Sequence, residues 1–277
     1  MAKKKSDLLP RVITAVVAIP LLLGLIFYAP HWAFFALVAA AAAVSIWEYS
    51  SITHDHKAGK IFTVAVGLGL INALYFAPEY FLDAVAASIV AIFLFFLFFF
   101  KDQGKVTQQI GSSITAIFYG GVLLTLVALL GRDAGDAGPM WILLLLAVVW
   151  GSDTGAYFAG VTLGKHKLYP AVSPNKSVEG SIGGVLSSIG FAFLLNALFS
   201  TYSDAWTTLT VVQVLILAIP ANLLGQTGDL AESLVKRAHE VKDSGTIIYG
   251  HGGILDRIDA LFFAAPWFYF YFARLAG

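Results

Sequence analysis

Long stretches without a charge recur along the chain, separated by short polar breaks. Nine runs approach the ~20 apolar residues that a bilayer requires. They cover about 11–29, 31–48, 60–78, 80–100, 113–131, 139–159, 182–200, 206–225 and 258–275. This pattern predicts an all-α polytopic integral membrane protein with about nine transmembrane helices and a cytoplasm-facing polar site. The fourth run is packed with Phe from Ile92 to Phe100, a surface suited to lipid. The first follows Met1-Ala-Lys-Lys-Lys and could mimic a secretory signal. It is long enough to span, and another run follows at once, so it reads as a retained first helix. Trp32, Trp47, Tyr80, Trp141, Trp206 and Trp267 fall near run ends, as interfacial anchors do. Residues 1–110 would then hold about four spans. Residues 111–277 would form a catalytic region of about five spans with cytoplasmic loops 160–181 and 226–257.

Composition supports this reading: 58% of residues are hydrophobic, 12% are charged, and the mean hydropathy is +0.81. The absence of cysteine excludes disulfides and thiolate metal sites. The net charge is zero, but its distribution is uneven. With the N-terminus inside, the cytoplasmic segments carry Lys3, Lys4, Lys5, Arg11, Lys57, Lys60, Lys101, Lys105, Lys165, Lys167, Lys176, Lys236, Arg237, Lys242 and Arg257. These are 15 of the 17 Lys and Arg residues, leaving only Arg132 and Arg274 outside. That sorting obeys the positive-inside rule and puts function on the cytoplasmic face. No nucleic-acid partner is expected.

The segment from Gly228 to Asp259 departs most from the apolar background, with six acids, four Lys/Arg and two His. Asp229, Glu232, Ser233, Lys236 and Glu240 would share one face if that stretch were helical. A carboxylate near the membrane with cations beyond it suits a divalent ion bridging a polyphosphate. An interfacial helix whose charges pair among themselves is the plainer reading. Gly245, Gly250, Gly252 and Gly253 permit tight turns whose amides could cradle phosphate. His251 among them could donate to a phosphate or be a structural histidine. Asp256 and Asp259 lie one turn apart where the last span begins. Acids there must pair with cations or hold one. Asp229 and Asp256 sit at the two junctions of consecutive antiparallel spans with the same loop, which makes them the preferred metal pair.

A second polar region joins the sixth and seventh spans. Asp153 lies inside or at the end of an apolar helix, where it is either functional or a helix-packing group. Lys176 lies in a polar turn and could bind phosphate, whereas topology alone accounts nearly as well for Lys165 and Lys167. Glu48, near the end of the second span, reads as an interfacial or packing acid.

Ser233-x-x-Lys236-Arg237, then Lys242-Asp243-x-Gly245, then His251-Gly252-Gly253-x-x-Asp256-Arg257-x-Asp259 form an ordered pattern over 27 residues. It resembles the signature of the phosphatidate cytidylyltransferase (CDP-diacylglycerol synthase) family. Gly228-Asp229-Leu230 and the turn Ser173-Pro174-x-Lys176-Ser177-x-Glu179-Gly180 match as well. Tyr249 departs from the pattern, standing where the family usually has Pro, and Asn175 and Ser177 are milder variants. The resemblance implies that CTP and phosphatidic acid give CDP-diacylglycerol and pyrophosphate for phospholipid biosynthesis, in a bacterial inner membrane. It implies catalytic roles for Asp229, Asp256 and Lys242, with Asp229 and Asp256 holding Mg²⁺. It also implies substrate binding by Asp153, Lys176, Ser233, Lys236, Arg237, His251 and Arg257. A monovalent cation such as K⁺, membrane-lipid partners and a homodimer are compatible with it. The rival readings are a CTP-dependent polyprenol or phytol kinase and a cation-coupled transporter. The latter should carry polar residues on several spans near the midplane, whereas spans one, three and four are nearly devoid of charge.

Overall fold

A computed structural model describes residues 8–54, 56–100, 102–245 and 252–276. The first helices are α1 (Leu8–Tyr28), α2 (His31–Thr53), α3 (Lys57–Phe76) and α4 (Phe81–Phe99). Next come α5 (Gln103–Ala116) and α6 (Leu123–Asp133), then α7 (Gly138–Leu163). The last three are α8 (Val178–Tyr202), α9 (Val211–Ala238) and α10 (Leu255–Tyr271). Prolines mark several starts, where a missing amide hydrogen costs nothing: Pro30 precedes α2, and Pro139 sits in the first turn of α7. Among the described residues, seven helical rods are long and apolar enough to cross a membrane. Of the nine expected spans, the two outside this set lie at the chain ends. The described apolar part of α1 is Ala18–Tyr28, and α10 has 17 residues.

The structure differs from the sequence expectations at four places. The fifth span starts ten residues early, because Asp102 caps α5 by accepting from Gly104 N at 2.9 Å. The rod then runs to Asp133 through a π-helical turn, Ile117–Val122. That turn presents Gly120 and Gly121 to Ser45 and Ile46 of α2, with too little room for a comfortable Cβ. Second, the loop after α7 holds an antiparallel hairpin, β1 (Lys167–Tyr169) and β2 (Ser173–Ser177). Third, α9 ends at Ala238, so Glu240 leaves the expected helical face. Its φ is +57°, and Val241 N bonds back to Lys236 O at 3.0 Å, closing the helix with a left-handed residue. Fourth, Trp141 and Trp206 point inward, not to an interface. Their ring centroids are 5.1 Å apart, and Trp206 Nε1 donates to Asn196 Oδ1 at 3.0 Å.

The core lies between α7, α9 and α10, where Leu144, Leu145, Val148, Leu217, Ala218, Phe262 and Phe268 are fully buried. The periphery is lipid-like. Along α4 only Ile92 and Phe96 are buried, while Phe93, Leu97, Phe98 and Phe99 are exposed, as the Phe-rich run predicted. Glycines set the closest helix contacts. A Cβ at Gly228 of α9 would lie 2.7 Å from Asp259 O of α10, and Gly155 of α7 and Gly183 of α8 leave no room for side chains at their crossing. The contact at Gly228 brings the acids of α9 level with those of α10.

Candidate active site

Polar positions recur on one stripe of α9 at Asn222, Gln226, Asp229, Ser233 and Lys236, steps of three and four that a helix aligns. Its membrane-side part is a continuous hydrogen-bond chain. Ser188 Oγ donates to Val148 O at 2.7 Å and accepts from Asn222 Nδ2 at 2.7 Å. Gln226 Nε2 donates to Asn222 Oδ1 at 2.6 Å, and Ser181 Oγ donates to Gln226 Oε1 at 2.5 Å. Buried amides and hydroxyls in an apolar bundle must be satisfied in this way.

The chain forms one wall of a cavity of about 380 Å³ enclosed by α7, α8, α9 and β2, with Ala260 of α10 at its edge. One part of the lining is apolar, with Val149, Tyr157, Val161 and Leu168; another holds Asp153, Lys176 and Asp229. Lys176 is brought there by the hairpin, and its Nζ lies 2.5 Å from Asp229 Oδ2. Ser177 ends the strand and caps α8, accepting from Gly180 N at 3.1 Å. Glu179 accepts from the amides of Lys165 and His166 and pairs with His166 Nδ1 at 2.6 Å. The residues of this turn therefore fix the hairpin that presents Lys176. Ser233 Oγ reaches Asp229 Oδ1 at 3.4 Å.

A second cluster lies further along the seam between α9 and α10. Lys236 Nζ is 2.6 Å from Glu232 Oε2 and 2.6 Å from Asp256 Oδ1, with all three side chains buried or nearly so. Asp256 Oδ2 accepts from Ser244 N at 3.0 Å, Ser244 Oγ at 2.9 Å and Gly253 N at 2.9 Å. Both oxygens of Asp256 are thus engaged. Glu232 Oε1 is buried with no hydrogen-bond partner among the described residues. Asp259 accepts from Ala260 N at 2.7 Å and feels Asp229, Glu232 and Asp153 electrostatically. Arg257 and Lys176 act on Asp153 with the opposite sign.

The structure therefore places Asp153, Lys176, Asp229 and Ser233 at the cavity, and Lys236 and Asp256 in the adjoining cluster. Arg237 reaches the carbonyls of Val172 and Val241 at 3.5 Å, tying the end of α9 to the hairpin. Lys242 is exposed in the loop after α9. His251, Gly250 and Tyr249 lie outside the described residues. Reading the sequence missed Ser181, Asn222 and Gln226 on the cavity wall, although Asn222 and Gln226 continue the α9 stripe. It also underrated Glu48. That side chain is 2% exposed and accepts from Leu255 N at 2.8 Å and Ile254 N at 3.2 Å, capping α10 from α2.

Formally, five carboxylates (Asp153, Asp229, Glu232, Asp256 and Asp259) stand against three cations (Lys176, Lys236 and Arg257). Oxygen donors of this kind suit a hard divalent cation. Among the described residues, however, no three acidic or His side chains form a ready-made cage.

The profile of the cytidylyltransferase family matches residues 9–275. The chain is 31% identical to the phosphatidate cytidylyltransferase of Bacillus subtilis over 96% of its own length and 98% of that protein's. It is 33% identical to the phosphatidate cytidylyltransferase of Haemophilus influenzae, over 95% and 98% respectively. Over 134 residues it is 46% identical to the enzyme of the same name from Staphylococcus epidermidis, 48% of this chain and 49% of the relative.

Proposed function

This chain belongs to the cytidylyltransferase family, and we propose that it is a CTP:phosphatidate cytidylyltransferase, an integral membrane enzyme of CDP-diacylglycerol synthesis. The structural observation that carries this reading is the cavity itself. One lining joins apolar side chains to Asp153, Lys176 and Asp229, which fits a reaction between a lipid phosphate and a soluble nucleotide. In the proposed reaction a phosphate oxygen of phosphatidate attacks the α-phosphorus of CTP in line. The bond from that phosphorus to the bridging β-oxygen breaks, and pyrophosphate leaves. Phosphatidate is already ionised near neutral pH, so positioning and charge neutralisation do most of the catalysis.

Lys176 releases Asp229 and meets a substrate phosphate at the cavity. Asp153 lines the nucleotide side. Lys236, Arg237, Lys242 and Arg257 supply further positive charge, with Ser233 as a hydrogen-bond donor and His251 as an additional phosphate contact. Asp229 and Asp256 would hold Mg²⁺, Asp256 exchanging its bond to Lys236, and the gathering of carboxylate oxygens along this seam supports the reading. When bound, the ion would neutralise the two polyanions that must meet.

The inner membrane, with the N-terminus and site cytoplasmic, is part of the same reading. The bond from Glu48 to Leu255 sets the α2–α3 junction, with Lys57 and Lys60, beside the end that carries Lys236, Arg237 and Arg257. Arg132, one of the two cations this orientation leaves outside, lies at the opposite end of its rod from Lys105. The deciding experiment incubates purified protein with phosphatidate, Mg²⁺ and CTP labelled at the α-phosphorus. Label should enter the lipid as CDP-diacylglycerol. Label that stayed out of the lipid and was released as CDP would overturn the reading in favour of a kinase. Equal product after chelation would remove the metal from it.

A further inference from the structure

Glu48 belongs to α2, nearly two hundred residues from the seam in sequence, yet its buried carboxylate is built into it. Donors from one short stretch are shared between two acids. Gly253 N and Ser244 N serve Asp256, while Ile254 N and Leu255 N serve Glu48. Ser244 Oγ lies 2.9 Å from Asp256 Oδ2 and 3.4 Å from Glu48 Oε2, within donating reach of both carboxylates. The backbone is pressed onto the Glu48 side chain. A Cβ at Gly253 would lie 2.5 Å from Glu48 Oε2, and one at Gly245 would lie 2.8 Å from its carboxyl carbon. Negative charge at the first amides of α10 also faces the positive end of that helix's dipole.

We propose that Glu48 is a positioning residue for cytidylyl transfer, fixing Ser244 and the turn into α10 so that Asp256 is presented to Lys236. The N-terminal helices thereby contribute to catalysis without touching substrate. This inference rests on the function proposed above. In Glu48→Gln one oxygen remains as an acceptor, but the new NH₂ faces an amide N–H and the anionic cap is gone.

The test measures kcat, both KM values and thermal unfolding in detergent for full-length wild type, Glu48→Gln, Ser244→Ala and their double variant. Ile46→Ala, a buried neighbour on α2, serves as the packing control. Wild type that makes no CDP-diacylglycerol refutes the function and not the positioning role. With active wild type, Glu48→Gln should lower kcat about tenfold or more, a typical loss for groups that orient site ligands. Both KM values should stay within about twofold, the mark of an interaction felt mainly in the transition state. Ser244→Ala in the Glu48→Gln background should cost little more, since both act on Asp256. Ile46→Ala should lower the unfolding temperature with kcat kept. If Glu48→Gln does not yield folded protein, Ser244→Ala alone decides, by the same split of kcat from KM. Near-wild-type kcat, multiplicative losses, or a loss matched by Ile46→Ala at equal destabilisation would overturn the proposal.

Discussion

Arg132 Nε meets Asp133 Oδ1 at 2.7 Å, and Tyr269 of α10 donates to Asp133 Oδ2 at 2.7 Å. At the other end of α10, Lys236 lies between Glu232 and Asp256, 2.6 Å from each. The two clusters use similar groups and similar distances. They differ in surroundings. The Arg132 and Asp133 side chains are 30% and 28% exposed, against 11%, 2% and 9% for Lys236, Glu232 and Asp256. Arg132 also donates to Tyr75 O and lies over the Tyr75 ring at 4.9 Å, so its contacts are structural ones. The Lys236 cluster follows the cavity-lining Asp229 along α9, sets two acids against one base and, among the described residues, leaves one buried carboxylate oxygen unpartnered. A dense set of ion pairs is therefore no mark of a reaction centre, and it is the unbalanced set near the cavity on which the proposed chemistry rests.

Substitutions that treat the two ends alike should separate them. Asp229→Asn should lower kcat by about a hundred- to a thousandfold, the scale seen when a preorganised electrostatic group is lost. Asp133→Asn should leave initial rates almost unchanged, and equal losses would erase the distinction. Lys236→Met should destabilise the fold by about 3 kcal/mol or more, because it strands two buried acids. Arg132→Met should cost about 1 kcal/mol or less by the same unfolding assay. Gly228→Ala should force α9 away from Asp259 and lower activity by up to about a hundredfold, the scale for misplacing a site group, while Gly111→Ala, on α5 with nothing near the new Cβ, should not. The smallest effect is expected at Glu240→Gly. Relieving a left-handed glutamate should raise stability by up to about 1 kcal/mol with kcat unchanged. A fall in activity there would extend the reaction centre past the end of α9.

What could be read from the chain follows from the range over which each signal acts. The α9 stripe from Asp229 to Lys236 was legible because helical periodicity is local, and Asp256 was legible because it begins the next apolar run. The role of Glu48 was not, since its partners are amides some two hundred positions away and an amide carries no sequence signal. The hairpin was missed because three- and five-residue strands are too short to show alternation. The π-helical turn was missed for a related reason: Gly120 and Gly121 matter through the close approach of α2, which no pattern within α5 and α6 records. Trp141 and Trp206 lie near span ends as the rule for interfacial aromatic residues expects, but both are buried and meet each other in a tilted ring contact instead of facing outward.

The 28 residues of α9 also act as a depth gauge. At 1.5 Å per residue they measure about 42 Å, against a hydrocarbon slab of about 30 Å. Were the slab to begin at Val211, it would end near residue 230, which would put Asp229 level with the ester region and Lys236 among the headgroups. A phospholipid could meet both without being lifted from its leaflet, its tails remaining in oil while its phosphate is handled where it already floats.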